Sequence, residues 1–157
     1  MIQKNKENQG NQENNLILMN DLTAQIVQVS GQTSAKQQGL ILFAHGSRDT
    51  AWKLPFESIL TKIQIKQPYL ACGLAYLELM QPDFATQTTD LIAQGVRHIR
   101  VLPLFLAVGK HLRVDLPNFV QEAQLTYAGI GLTFEVLPAI GETAVLQQAI
   151  VDLALSK

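Results

Sequence analysis

The sequence predicts an α/β fold with a parallel sheet, on three observations. Apolar-rich runs recur at residues 39–44, 72–79, 98–106 and 132–137. Between them lie stretches whose apolar residues return at helical spacing. Helix-length crossovers between strands are what parallel neighbours require, whereas antiparallel neighbours need only a tight turn.

The first run, Gly39-Leu40-Ile41-Leu42-Phe43-Ala44, has no charge and no alternation. Such a run suits a strand covered on both faces. It ends abruptly in His45-Gly46-Ser47-Arg48. A helix is expected from about residue 51 to 66, with Trp52, Phe56, Ile59, Leu60 and Ile63 inward and Pro68 closing it. The second run, from Cys72 to Leu79, reads as a strand carrying Glu78 near its end. Gln81-Pro82-Asp83 opens a second helix, with Phe84, Thr88, Leu91 and Ile92 inward and Gly95 as its stop. Strand three spans residues 98–106, with Pro103 marking an end or a bulge because proline cannot donate to a ladder. A loop over residues 107–115 follows. Asp115 and Pro117 then suit the N-cap and first turn of a third helix, with Leu116, Phe119, Val120, Ala123 and Tyr127 on one face. After strand four, Pro138 to Glu142 turns into a last helix with Val145, Leu146, Ala149, Ile150 and Leu153 inward.

The order βαβαβαβα gives one four-stranded parallel sheet with helices on both faces, in a single domain. Residues 39–157 form that domain. Residues 1–38 differ in kind: 14 of the 38 are Gln or Asn, none is aromatic, and three positive charges stand against three negative. Such a segment cannot bury enough apolar surface to offset its ordering entropy, and it reads as a flexible extension. Residues 16–29 are the exception, with the pattern of a weak amphipathic docking helix.

Composition narrows the function. The chain of 157 residues has a net charge of −1 and 6% aromatic residues, which gives no electrostatic footprint for nucleic acid or an anionic membrane. No apolar run is long enough to span a bilayer, and the N-terminus lacks the basic-then-apolar order of a secretory leader, so the expected compartment is the cytoplasm. Cys72 is the only cysteine and falls in an apolar run, where it reads as a buried thiol. That excludes an intrachain disulfide and a cysteine-rich metal site.

In an open parallel sheet the strand-to-helix loops share one rim, and ligands bind there. That rim should collect His45, Ser47 and Arg48 from the first loop, Glu78 from the second, and Lys110, His111 and Arg113 from the third. Neutral imidazole is a common ligand for divalent transition metals, and a nearby carboxylate can complete the shell or take a proton. Glu78, in an apolar stretch, would need a partner if buried. Ser47 can be read either as the N-cap of the first helix or as a ligand contact, and His98, beside Arg97 and Arg100, as a surface residue. Arg48, Lys53, Lys110 and Arg113 are four of the nine cations after residue 38, and gathering them at one rim would offer a site to an anion.

Taken in order, His45-Gly46-Ser47-Arg48, Leu77-Glu78 with Pro82, the run Val101 to Leu106 leading to Gly109-Lys110-His111, Asp115-Leu116-Pro117, and Pro138-Ala139-Ile140-Gly141-Glu142 resemble the small CbiX-type sirohydrochlorin chelatases. These are class II chelatases related to SirB, CbiK and protoporphyrin ferrochelatase. The resemblance implies insertion of a divalent metal into a tetrapyrrole, without ATP and without a tightly bound organic cofactor. It maps the two site histidines onto His45 and His111, as metal ligands, and the acidic residue onto Glu78. Short members of the family pair as homodimers and long ones fuse two copies; this chain has one.

On that reading the basic rim orients the carboxylates of sirohydrochlorin, and Leu104, Phe105, Leu106 and Val108 supply an apolar floor for the macrocycle. Co²⁺, Fe²⁺ and Ni²⁺ all remain open as the substrate metal, because one ligand set serves all three. The alternative is a non-catalytic carrier of tetrapyrrole or metal using the same rim. A hydrolase would want a Gly-x-Ser-x-Gly elbow, which the sequence lacks.

Overall fold

The computed structural model describes residues 38–156, with Lys110 and His111 described in backbone only. The expected extension and its docking helix lie outside these residues, apart from Gln38, which begins the first strand.

Four parallel strands, β1 (Gln38–Ala44), β2 (Ala71–Tyr76), β3 (His98–Pro103) and β4 (Thr133–Val136), form one sheet in the order β2-β1-β3-β4. Strand β1 is central. Phe43 is in register with Ala75 on one side and Pro103 on the other. Its uncharged run is accounted for by burial: Ile41, Leu42, Phe43 and Ala44 are fully inaccessible.

The two faces of β1 enter different cores. Ile41 and Phe43 join Ala75, Ile99 and Val101 under helices α2 (Phe84–Ala93) and α3 (Lys110–Thr126), which contribute Phe84, Leu91, Leu112, Leu116 and Ala123. Leu42 and Ala44 join Leu74 and Tyr76 on the opposite face, against Trp52, Phe56, Leu60 and Ile63 of the segment containing helix α1 (Leu54–Lys66). Helices on both faces of a parallel sheet are what the sequence predicts.

Several boundaries differ from expectation, each for a local reason. A 3-10 turn, Thr50–Lys53, precedes α1, and Ile59 is 41% exposed instead of inward. Strand β2 stops at Tyr76, because the backbone N–H of Tyr76 donates to the Pro82 carbonyl of the returning chain and Leu79 takes a positive φ of 64°. Strand β3 stops at Pro103, and the chain leaves the sheet after Leu104, whose N–H still donates to the Phe43 carbonyl.

Helix α3 begins at Lys110 with Gly109 as its N-cap, not at Asp115, and Pro117 lies inside it. The first turn of that helix therefore occupies most of the expected loop. Arg113 and Pro117 are both exposed, so the carbonyl that proline leaves without its intrahelical partner is on a water-facing side. The last helix, α4 (Ala144–Leu155), is capped by Thr143, whose Oγ1 accepts from the Leu146 N–H at 3.4 Å. The inward face expected for it is absent: none of its residues is buried, and Val145 and Leu153 are 83% and 75% exposed.

Candidate functional site

The site is built where β1 gives out. Past Ala44 the chain stays tied to both neighbouring segments: Leu77 N–H donates to the Ala44 carbonyl at 2.8 Å, Glu78 N–H to the His45 carbonyl at 3.0 Å, and Leu104 N–H to the Phe43 carbonyl at 2.7 Å. His45 is thus held between two other loops at the carboxyl edge of the sheet. Gly46 follows with φ 94°, and a β-carbon there would run into the carbonyl oxygen of Glu78. The histidine loop and the glutamate loop touch backbone to backbone.

This contact brings the two side chains together. His45 Nδ1 lies 3.6 Å from Glu78 Oε1, with the groups 44% and 48% exposed. The imidazole ring sits 6.2 Å from the ring of Phe105, which in turn packs 5.9 Å from Phe43 in the core. One wall of the histidine is therefore apolar and fixed, and the other is open to solvent. A half-exposed carboxylate beside a half-exposed imidazole can bind a cation between them or pass a proton outward. Glu78 is not the buried acid considered from sequence, because it stands beyond the strand end and not inside it.

The third loop reaches the same edge. Residues 104–109 continue from β3, the neighbour of β1, and His111 is the second residue of α3. The backbone N–H groups of that first turn, left without intrahelical partners, point their positive end at the rim. The side chains of Lys110 and His111 lie outside the described residues. Among the described residues, no three His, Cys, Asp or Glu groups converge as a ready metal cage.

The other expected site residues divide. Ser47 is not the helix cap. Asp49 takes that role, accepting from Ala51 N–H at 2.9 Å, while Ser47 Oγ accepts from the Asp49 N–H at 3.1 Å. Arg48 is exposed in the first rim loop and Arg113 in the first turn of α3. Lys53 does not join them. Its ammonium is 2.8 Å from Glu57, and that hydrogen bond holds Lys53 above its ordinary pKa range. The apolar floor also divides: Leu104 packs on the α1 side, Phe105 and Val108 pack on the α2–α3 side, and Leu106 is 69% exposed.

His98 lies at the amino end of β3, where Nδ1 is 2.8 Å from Thr133 Oγ1, at the opposite edge of the sheet from His45. It is a surface residue, as its neighbours suggested. Cys72, on β2, is partly buried, and burial raises its thiol pKa despite a hydrogen bond with Gln64.

One feature had no signal that could be read as geometry beforehand. The N–H of Gly141 donates to the Phe105 carbonyl at 3.0 Å, and a β-carbon on Gly141 would meet the Leu106 backbone. The segment after β4 is thereby stitched to the loop that carries Phe105. Its only trace in sequence is the short motif from Pro138 to Glu142.

A family model described as CbiX matches residues 39–156. The chain is 29% identical over 92 residues to a chloroplast sirohydrochlorin ferrochelatase of Arabidopsis thaliana, covering 59% of this chain and 41% of that one. It is 30% identical over 83 residues to a sirohydrochlorin cobaltochelatase of Methanococcus aeolicus, covering 53% and 58%. It thus spans about half the length of these two relatives. The solved structure of a CbiX protein from Marinobacter aquaeolei VT8 superposes with a TM-score of 0.63 at 36% identity, covering 74% of this chain and 93% of that one.

Proposed function

The chain belongs to the CbiX family, and from that premise we propose that it inserts a divalent metal, Co²⁺ or Fe²⁺, into sirohydrochlorin without nucleotide hydrolysis. The observation that carries this reading is the pairing of His45 with Glu78 at the carboxyl edge of β1. The relatives named above are a ferrochelatase and a cobaltochelatase of the same tetrapyrrole, which supports both the reaction and the two metals.

Metal insertion exchanges bonds without redox change. The incoming M²⁺ loses water, forms bonds to four pyrrole nitrogens, and two N–H protons depart. In this mechanism His45 and His111 bind the metal as neutral imidazoles, leaving coordination positions for the macrocycle. As ring nitrogens replace the imidazoles, the two departing protons are taken up in turn by a freed imidazole or by Glu78, and the half-exposed His45 and Glu78 return them to water. Arg48, Arg113 and Lys110, with Ser47 and the positive end of α3, orient the carboxylates at the edge of the macrocycle. Phe105, already against the imidazole, supplies an apolar contact. The metal is substrate, and the reading needs no resident cofactor.

The working unit is a homodimer, which the exposed apolar surface of α4 supports. Its compartment is the cytoplasm, where an unpaired thiol such as Cys72 is kept reduced. Among the described residues, no helix is long and apolar enough to cross a membrane.

The deciding experiment is anaerobic visible spectroscopy of the purified chain with metal-free sirohydrochlorin, offered Co²⁺, Fe²⁺ or Ni²⁺ in separate runs. Repeated turnover above the uncatalysed rate is expected. A spectral change that saturates at one equivalent would refute the enzyme and leave a carrier.

A further inference from the structure

The glutamate loop contains a residue that the fold does not explain. Among the described residues, Leu79 is the only non-glycine with a positive φ, 64°. The Met80 N–H donates to the Glu78 carbonyl at 2.8 Å across it, so Leu79 is the centre of a γ-turn of the rare, strained hand. Glycine, and less easily asparagine, adopts that conformation without the clash that a leucine side chain brings. A leucine would be justified there if it filled the core. It does not: Leu79 is 56% exposed and belongs to neither core cluster, whereas its neighbours Leu77 and Met80 each pack against one.

The turn is nonetheless held firmly. The Glu78 N–H donates to the His45 carbonyl at 3.0 Å, the Glu78 carbonyl fills the space of a Gly46 β-carbon, and beyond the turn the Pro82 carbonyl accepts from the Tyr76 N–H at 3.0 Å. Rotating Leu79 out of its left-handed conformation would break the Met80 bond that fixes the Glu78 carbonyl. Backbone strain kept with no gain in packing is a mark of a side chain that serves a ligand.

The position of the turn indicates the kind of ligand. Strand β1 lies between β2 and β3, so the loops that follow those two strands flank His45 on opposite sides. Phe105 stands on the β3 side, its ring 6.2 Å from the imidazole. Leu79, next to Glu78, stands on the β2 side. Apolar groups on both sides of a histidine suit a flat apolar ring system wider than one strand spacing of ~4.8 Å. A free ion or small anion would gain nothing from a leucine. We propose that Leu79 is a substrate-contact residue for the tetrapyrrole, meeting the macrocycle from the β2 side as Phe105 meets it from the β3 side. A side chain on a backbone already fixed gives up little freedom on binding, so more of its apolar contact appears as affinity.

This inference rests on the chelatase reading above, and the two fail differently. Absorption titration of metal-free sirohydrochlorin into the full chain, with no metal present, tests it beside thermal melting. Leu79→Asn and Leu79→Gly each place a residue suited to positive φ in the turn. Both should weaken tetrapyrrole binding roughly 10-fold, the worth of burying about half a leucine, while melting at or above the wild-type temperature. Leu79→Met should bind within about 2-fold of wild type. Co²⁺ affinity measured without tetrapyrrole should be the same in all four proteins. A wild type that takes up no sirohydrochlorin overturns the chelatase reading and the role of Leu79 with it. Equal binding by wild type and Leu79→Asn keeps the chelatase reading and overturns the role of Leu79 alone. Variants that melt several degrees lower would show that the side chain packs within its own chain, which overturns that role as well.

Discussion

The carbonyl oxygen of Glu78 occupies the space that a β-carbon on Gly46 would need. The relation joins the loop carrying the histidine to the loop carrying the glutamate through their main chains. It makes Gly46 a positional constraint on the site, over and above its φ of 94°.

Gly46→Ala should therefore cost about 1–3 kcal/mol, the cost of a strained left-handed residue. It should also lower metal insertion by more than the lost stability explains, because the loops must separate and the 3.6 Å approach of His45 to Glu78 with them. Thermal unfolding and turnover on one preparation check this. An active, normally stable alanine variant would show that the loops are free to move.

His45→Ala should abolish turnover while leaving stability within ~0.5 kcal/mol, since a half-exposed rim side chain is no part of either core. Glu78→Gln keeps the shape and removes the proton acceptor, and should slow insertion by roughly 100-fold or more. Its effect on metal affinity should be smaller. Single-turnover kinetics beside equilibrium Co²⁺ titration separate the two. Near-normal insertion by His45→Ala would end the proposed mechanism.

Asp83 sets the acid limit of helix α2. It accepts from the Thr86 backbone N–H at 2.8 Å, and that bond, joined by the Thr86 side chain, holds its carboxyl below the ordinary range. A carboxyl with a depressed folded-state pKa stabilises the fold fully above its unfolded value of ~3.9, and the contribution disappears as pH falls through the lower folded value. Wild type should exceed Asp83→Asn in melting temperature at pH 6, and the gap should close toward pH 3. Asp83→Ala should cost about 1 kcal/mol at neutral pH. A gap independent of pH would refute the role of the charge.

Cys72 should resist alkylation. Burial in β2 pushes its thiol pKa up, so little thiolate is present near pH 7. Iodoacetamide labelling followed by mass spectrometry should be several-fold slower in the native chain than in guanidinium. Equal rates would mean that the strand opens readily.

Much of this fold was legible because its strongest signals are one-dimensional. The uncharged run at residues 40–44 suits a strand covered on both faces, which it is, and Leu116, Phe119, Val120, Ala123 and Tyr127 repeat at the period of the helix face they occupy. What misled is equally specific. Asp115 and Pro117 have the chemistry of a helix start, yet they lie on the second turn of a helix begun at Lys110, where the missing proline N–H costs little beside water. Val145, Ile150 and Leu153 have the periodicity of an inward face, but periodicity says that a surface is apolar and not what packs on it. The candidate site was legible only as residue types at strand ends. That Phe105 walls His45, and that Gly141 binds the Phe105 loop, depends on packing between distant segments.

The central position of β1 has a consequence for synthesis. Its hydrogen-bonding groups are satisfied by β2 on one side and by β3 on the other, and β3 ends only at Pro103. On the ribosome β1, the first of the described strands, is thus paired along one edge from Tyr76 onward and bare along the other until β3 emerges. At ~5–20 residues per second that interval lasts on the order of a few seconds, with the apolar run Leu40 to Ala44 presenting an open edge. The nascent chain is then most exposed to mispairing with other chains, and most in need of a chaperone that holds extended apolar segments.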